Sequence, residues 1–350
     1  MTQKQFASKI IAWYTSHHRS LPWRETKDPY KIWLSEIILQ QTRVAQGLPY
    51  YEKFVSTFPT VTALAKASEQ QVLRLWQGLG YYSRARNLHA CAKKVVTEYH
   101  GKFPDSAEGL QKLPGIGPYT AAAIASFAFR ESVAVVDGNV FRVLARIFGM
   151  DTDIASPMGK KIFTEKANAL LDAHQPDVFN QAMMEFGAIH CLPQNPLCTD
   201  CIFSKTCIAN GQGLQKLLPV KEKKAKVRTR YFYYFLIHHQ KKILMRKREG
   251  KDIWKGLYDF YLVETNRNKK AVDVMKNDSI VSTASILTES KIFTHLLSHQ
   301  KLKIKFIEIN LSFTTTLEKK LIEVGLKAFT KTQIGHLPKP IVIDRYLEFF

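Results

Sequence analysis

From Met1 to about Cys207 the apolar positions recur at helical spacing, interrupted by short polar loops. Near the start, Phe6, Ile10, Trp13 and Tyr14 fall on one side of an amphipathic helix. The stretch KIWLSEIILQQTRV, Lys31 to Val44, sets Ile32, Trp33, Ile37 and Gln40 near one face of another helix, and Glu36 shares that face. Ala-rich Thr120–Phe129 is a strong helix former, and helices are expected over Pro157–Ala173 and Asp177–Ala188. From Thr229 the pattern changes. YFYYFLIHH, KKILMRKR, LYDFYLVE and LKIKFIEINL read as strands between polar turns, with helices over Leu317–Leu326 and Ile343–Phe349. Between the two regions, Asn210 to Arg228 opens Asn-Gly-Gln-Gly and closes in the charge run KEKKAKVR, which reads as a linker. The pattern predicts a mostly α region followed by an α+β domain.

Composition narrows the partners. Lys and Arg exceed Asp and Glu by 21 over 350 residues, an excess that favours a polyanion, most simply nucleic acid. A membrane is the competing surface, but no long apolar segment is present. The N-terminus lacks the apolar core of a signal peptide, which points to an intracellular chain.

Four stretches carry candidate chemistry. LPGIGPYT, from Leu113, is a glycine turn ahead of a helix; Gly115 and Gly117 permit φ > 0 and close approach, and Pro118 suits the first helical turn. The free N–H groups of such a helix start suit a phosphate. Eighteen residues after Tyr119 comes Asp137, in Val-Asp-Gly-Asn-Val. Taken alone, Asp137 serves equally well as the cap of a helix starting near Gly138, and Glu36 as an exposed residue at the edge of its stripe. A carboxyl held against an apolar face would have a raised pKa, which suits a proton donor near neutral pH. In GLGYYSRARNLH, Gly78 and Gly80 form a turn carrying Leu79, Tyr81 and Tyr82 ahead of Arg84 and Arg86, the makings of a wedge for a base stack flanked by phosphate-holding arginines. Finally Cys191, Cys198, Cys201 and Cys207 are spaced C-x6-C-x2-C-x5-C. In an intracellular chain that crowding means metal rather than disulfides, and thiolate count alone fits zinc or an iron–sulfur cluster. Cys91, far away in sequence, reads as a small buried hydrophobe.

Together these residues resemble the MutY-type adenine DNA glycosylases of the helix–hairpin–helix (endonuclease III) superfamily. The resemblance runs through LPWRETKDPYKIWLSEIILQQTRV, GLGYYSRARNLH, LPGIGPYTAAAI, VDGNVFRVLAR, FNQAMMEFGAIHC and the cysteine loop. It implies a glycosylase region over 1–212, with a six-helix module at about 27–125 and an iron–sulfur module of 1–26 plus 126–212. A linker at 213–228 and a Nudix-like lesion-reading domain at 229–350 complete the expected chain. The glutamate cluster of a Nudix hydrolase box is absent from the latter, so a reader rather than a catalyst is expected. The resemblance further implies a [4Fe-4S] cluster on the four cysteines, and removal of adenine mispaired with 8-oxoguanine in double-stranded DNA. Glu36 matches the family's general acid, Asp137 its second carboxylate and Asn139 a supporting residue. Tyr119 stands where bifunctional relatives carry a Schiff-base lysine, so the strand should be left intact. Gln40, Gln41, Thr42, Leu79, Gly80, Tyr81, Arg84, Gly115 and Gly117 match DNA-contacting positions. Arg19, Leu21, Trp23, Arg24 and Gln181 match the adenine pocket, and Leu297, Ser298 and His299 the lesion-reading loop.

Two residues depart from the family pattern. Leu297 replaces a stacking phenylalanine, and Phe141 stands where some relatives have a lysine. A monomer in the bacterial cytoplasm, with no membrane partner, is the expectation. The competing readings are a bifunctional glycosylase/lyase and a non-catalytic iron–sulfur DNA-binding protein.

Overall fold

The computed structural model describes residues 1–222, 227–297 and 299–349. Lys223 to Lys226 of the expected linker, and Ser298 of the expected lesion-reading loop, lie outside the described residues. Two compact units emerge: residues 1–66 with 87–223, and residues 67–86 with 224–350. The grouping of 67–86 with the C-terminal residues differs from the division expected from sequence. Contacts joining the two segments include Arg86 Nη1 to the Lys255 carbonyl at 2.7 Å and the Lys339 N–H to Gln77 at 3.1 Å.

The first unit is helical. Thr2 caps the Gln3–His17 helix with a reciprocal bond to Gln5, and Phe6, Ile10, Trp13 and Tyr14 are all buried. That helix packs with Val140, Leu144, Phe163, Phe179 and Phe203 in one core. Asp28 caps the next long helix, Pro29–Leu39, with proline in the first turn where its missing N–H costs nothing. Tyr30 and every residue from Ile32 to Ile38 are buried there, so Glu36 rides on a helix with almost no wet face. The sequence pattern carried this helix on to Val44. It stops at Leu39 because Gln41 takes φ 56°, a left-handed conformation that a helix cannot continue. The Pro118–Phe129 helix is buried from Thr120 to Phe127, its small alanines allowing close packing against Pro29–Leu39.

The second unit contains a mixed sheet. Its strands are β1 (Arg228–His239), β2 (Lys242–Lys247), β3 (Tyr258–Asp259), β4 (Tyr261–Thr265), β5 (Ser285–Glu289), β6 (Phe293–Leu296), β7 (Gln300–Asn310) and β8 (Lys327–Phe329). The central path runs β3-β2-β1-β7-β5, with β1 and β7 parallel and Phe232 opposite Ile304. β1 is also antiparallel to β4, Tyr233 facing Val263. Phe232, Tyr234 and Phe306 fill the interior; the Tyr234 and Phe306 rings stack at 5.6 Å. The four strongly patterned strands match the sequence reading closely, with LYDFYLVE divided into β3 and β4. Strands β5, β6 and β8 were not legible, because their side chains are largely exposed and carry little alternation.

Candidate active site

A pocket of about 600 Å³ in the first unit is where the expected catalytic and base-pocket residues meet. Glu36, Tyr119, Asp137 and Asn139 line it, as do Arg19, Leu21, Trp23, Arg24 and Gln181. Gln40, Gln41, Thr42 and Gly117 stand at the same pocket. These residues come from five separate stretches of chain, so only the fold assembles them.

Glu36 is 8% exposed, and its Oε2 accepts the Tyr119 hydroxyl at 2.8 Å. Burial pushes its carboxyl up to about 7; the Tyr119 bond pulls down against this, Asp137 adds to the rise and Arg24 opposes it. Burial also holds the Tyr119 phenol well above its ordinary value, so it stays a neutral donor. Asp137 caps the Gly138–Phe148 helix. Its Oδ1 accepts the Asn139 and Val140 N–H groups at 2.9 and 2.8 Å, and its Oδ2 accepts Asn139 Nδ2 at 2.8 Å. Hydrogen bonds of this kind by themselves lower a carboxyl's pKa. The outcome is the reverse: burial outweighs the bonds from Val140 and Asn139 and raises it. Capping and a place in the pocket prove to be compatible duties of one side chain.

Sequence reasoning missed three residues that hold this site together. Glu185 is buried and binds both pocket arginines, Arg19 Nε and Nη2 at 2.7 Å each and Arg24 Nη2 at 2.6 Å. Those arginines hold its carboxyl down at about 2 in spite of burial. Arg142 donates to Asn139 Oδ1 at 2.8 Å, to the Gly187 carbonyl at 2.7 Å and to the Cys191 carbonyl at 2.8 Å. The Tyr14 hydroxyl orients Gln181 through a 2.7 Å bond to Oε1. A signal for Glu185 was present: a single carboxylate within the apolar run AMMEFGAI has to find a buried partner. Gly187 sits in the π-helical turn Phe186–His190, where an added Cβ would meet Asn139 Cβ at 2.6 Å.

The glycine turn behaves unequally. Gly115 has φ +75° and its missing Cβ would lie 2.7 Å from Asn87 Cβ, so it is glycine for conformation and for space. Gly117 has φ −88°, not the positive value the sequence allowed for, and no atom lies near its missing Cβ.

A second pocket, of about 550 Å³ and within the second unit, gathers Leu79, Gly80 and Tyr81 with Leu297 and His299. Tyr81 is 40% exposed at φ 48°, whereas Leu79 is buried, so Tyr81 is the side chain this loop presents. Arg84 differs from the phosphate-facing role expected of it: its guanidinium lies over the Trp76 and Tyr81 rings at 5.2 and 5.3 Å. Burial lowers its pKa to about 10.

The four cysteines line one small cavity, with Arg146 Nη1 3.5 Å from Cys191 Sγ and the Phe203 N–H 3.4 Å from Cys201 Sγ. Such N–H contacts suit thiolates. Four thiolates are a donor set that suits either a tetrahedral zinc or an iron–sulfur cluster. Cys91 is fully buried elsewhere and burial raises it to about 12, as befits an inert core residue.

A helical body with a glycine turn, a buried carboxyl and a helix-capping aspartate in one pocket defines a class. The family described as HhH-GPD superfamily base excision DNA repair protein matches residues 34–169, and the NUDIX domain family matches residues 233–349. Among solved structures, a thermostable thymine-DNA glycosylase is similar at a TM-score of 0.56 and 31% identity, over 60% of this chain and 97% of that one. An adenine DNA glycosylase of Buchnera aphidicola subsp. Baizongia pistaciae is 37% identical over 313 residues, 88% of this chain and 87% of the relative. Another, from Buchnera aphidicola subsp. Schizaphis graminum, is 34% identical over the whole of both chains. The chain belongs to the MutY-type adenine DNA glycosylases, with a helix–hairpin–helix region and a C-terminal NUDIX domain. Among the described residues, no helix is long and apolar enough to cross a membrane.

Proposed function

We propose that this protein hydrolyses the N-glycosidic bond of adenine mispaired with 8-oxoguanine in double-stranded DNA, as a monofunctional glycosylase of base excision repair. The observation that carries the reading is Glu36, a carboxyl buried against apolar residues and raised to about 7, in the pocket that also holds the capped Asp137. Adenine leaves slowly as an anion. A proton passed from Glu36 to the base lets the C–N electron pair depart with a neutral leaving group. The sugar is left with oxocarbenium character, which Asp137 stabilises in its carboxylate form, and a water completes the hydrolysis. Asn139 holds the second oxygen of Asp137, and Arg142 holds Asn139. Leu21, Trp23, Arg24 and Gln181 receive the base once it has left the stack, a step that a mispair makes less costly.

Tyr119 supports the monofunctional branch. Its hydroxyl is committed to Glu36, and it offers no amine for a Schiff base. Gln41, Thr42, Gly115 and Gly117 supply polar and backbone contacts to DNA, and Tyr81 fills the place of the departed base. Leu297, Ser298 and His299 would read the 8-oxoguanine; leucine removes aromatic stacking there, while His299 remains exposed for hydrogen bonding.

Cys191, Cys198, Cys201 and Cys207 would hold a [4Fe-4S] cluster, which the donor set and the N–H contacts to sulfur fit. When bound, it orders the loop and supports DNA binding. The chemistry of excision falls to the carboxylates.

Single-turnover excision on two duplexes tests this. One carries adenine opposite 8-oxoguanine, the other thymine glycol opposite adenine, each read with and without alkali. Adenine release on the first, with strand breakage only after alkali, is expected. Breakage of the second without alkali would move the chain to the lyase branch, and release from neither would leave only a binding protein.

A further inference from the structure

Glu185 ends the Pro176–Glu185 helix with no exposed side-chain surface, an expensive place for a carboxylate. Its Oε1 accepts the Arg19 backbone N–H at 3.0 Å and Arg19 Nε at 2.7 Å. Its Oε2 accepts Arg19 Nη2 at 2.7 Å and Arg24 Nη2 at 2.6 Å. Arg24 is tied a second time, through Nη1 to the Arg19 carbonyl at 2.9 Å. Both arginines line the pocket with Glu36, and the Arg24 side chain is only 14% exposed, so water does little to screen it. The charged and titratable groups bearing on Glu36 are Arg24 from the Pro22–Arg24 turn, Tyr119 from the Pro118–Phe129 helix and Asp137 at the head of Gly138–Phe148. Of these, Arg24 is the one cation. It opposes the protonated state that a general acid needs.

We infer that Glu185 is a positioning residue of the excision site, fixing Arg19 and Arg24 in the pocket wall and cancelling charge that Arg24 would otherwise impose on Glu36. The inference rests on the reading of Glu36 as the proton donor. With Glu185 ionised, the cluster of Glu185, Arg19 and Arg24 carries one net positive charge; with a neutral residue there it carries two. The added charge favours ionised Glu36, so the acid would be spent at a lower pH.

The test is the pH profile of single-turnover adenine excision by the full chain. In the wild type the rate falls as pH rises through the Glu36 midpoint, and that limb is absent in Glu36→Gln, which is inactive. Glu185→Gln is expected to move the midpoint down by about one pH unit. In Arg24→Gln/Glu185→Gln the net charge returns to one and the cation that bears on Glu36 is gone, so the midpoint returns toward wild type whatever the rate. Glu185→Asp, which keeps the charge with a shorter reach, should keep the midpoint while raising KM in a separate steady-state assay. An unmoved midpoint in Glu185→Gln, or no return in the double variant, overturns the inference and leaves the glycosylase reading standing. Should Glu185→Gln fail to fold, a lowered midpoint in Glu185→Asp would overturn it instead. A wild type without adenine release removes the underlying reading itself.

Discussion

Replacing Glu36 by glutamine should abolish excision and yet make the protein harder to unfold, by an amount that grows with pH. In the unfolded chain this carboxyl ionises near its ordinary 4.5; in the folded protein burial delays ionisation to about 7. Below pH 4.5 both states hold the proton and the side chain contributes no pH dependence. Between 4.5 and 7 the unfolded state releases it while the folded state retains it, so stability falls as pH rises and levels off above 7. At about 1.4 kcal/mol per pH unit, the rise from 4.5 to about 7 corresponds to roughly 3 kcal/mol at pH 8. Glutamine has no proton to lose, and its carbonyl can still accept the Tyr119 hydroxyl. The assay is urea unfolding followed by helical circular dichroism, on wild type and variant at intervals from pH 5 to 8. Asp137 is coupled to Glu36, so the difference between the two proteins reads the Glu36 titration together with that coupling. The stability gap should open with pH and then plateau. A gap that stays constant across this range would refute the account of Glu36 as a carboxyl kept protonated by burial.

Asp137→Asn should eliminate excision while leaving affinity for the mispaired duplex within a few fold, read by single-turnover kinetics and fluorescence anisotropy. Tyr119→Phe removes the bond that favours ionised Glu36, so the alkaline limb of the pH profile should move upward, opposite to the shift from Glu185→Gln. Gly115→Ala places a Cβ against Asn87 at φ +75°, and thermal unfolding should record a loss of about 1–2 kcal/mol together with weaker DNA binding. Cys198→Ser should diminish the visible absorbance of an iron–sulfur protein and weaken DNA affinity more than it slows the single-turnover rate.

The helical region and the strong strands could be read from the sequence because their signals are local. Helical periodicity places Trp33 and Glu36 on a common face without knowledge of anything else, and β1 and β7 are apolar enough to declare themselves. The pocket was reachable only through resemblance, since Arg19, Glu36, Asp137 and Gln181 are brought together by packing across long sequence separations. Where a property depends on competing energies, the sequence misled. Hydrogen bonds to Asp137 could be foreseen from its position before Gly138, but the depth of its burial could not, and burial decided the direction of its pKa. The burial of Leu79 and the stacking of Arg84 were likewise beyond reach of the sequence. Residue type suggested exposed roles, while the Trp76 and Tyr81 rings claim the guanidinium. Glu185 shows the complementary gap: its place in an apolar run told that a buried partner was needed, but not that the partners would be Arg19 and Arg24.

Arg142 gives the cysteine loop an architectural meaning. One guanidinium grips the backbone at Cys191 and Gly187 and, through Asn139, the carboxylate of Asp137. Arg146, one turn further along the same helix, binds the carbonyls of Leu192 and Pro193, so the loop and the Asp137 helix are parts of one frame, not separate modules joined by a chain. Anyone who trims, grafts or re-spaces that loop is also re-aiming the pocket's capping aspartate, more than fifty residues upstream.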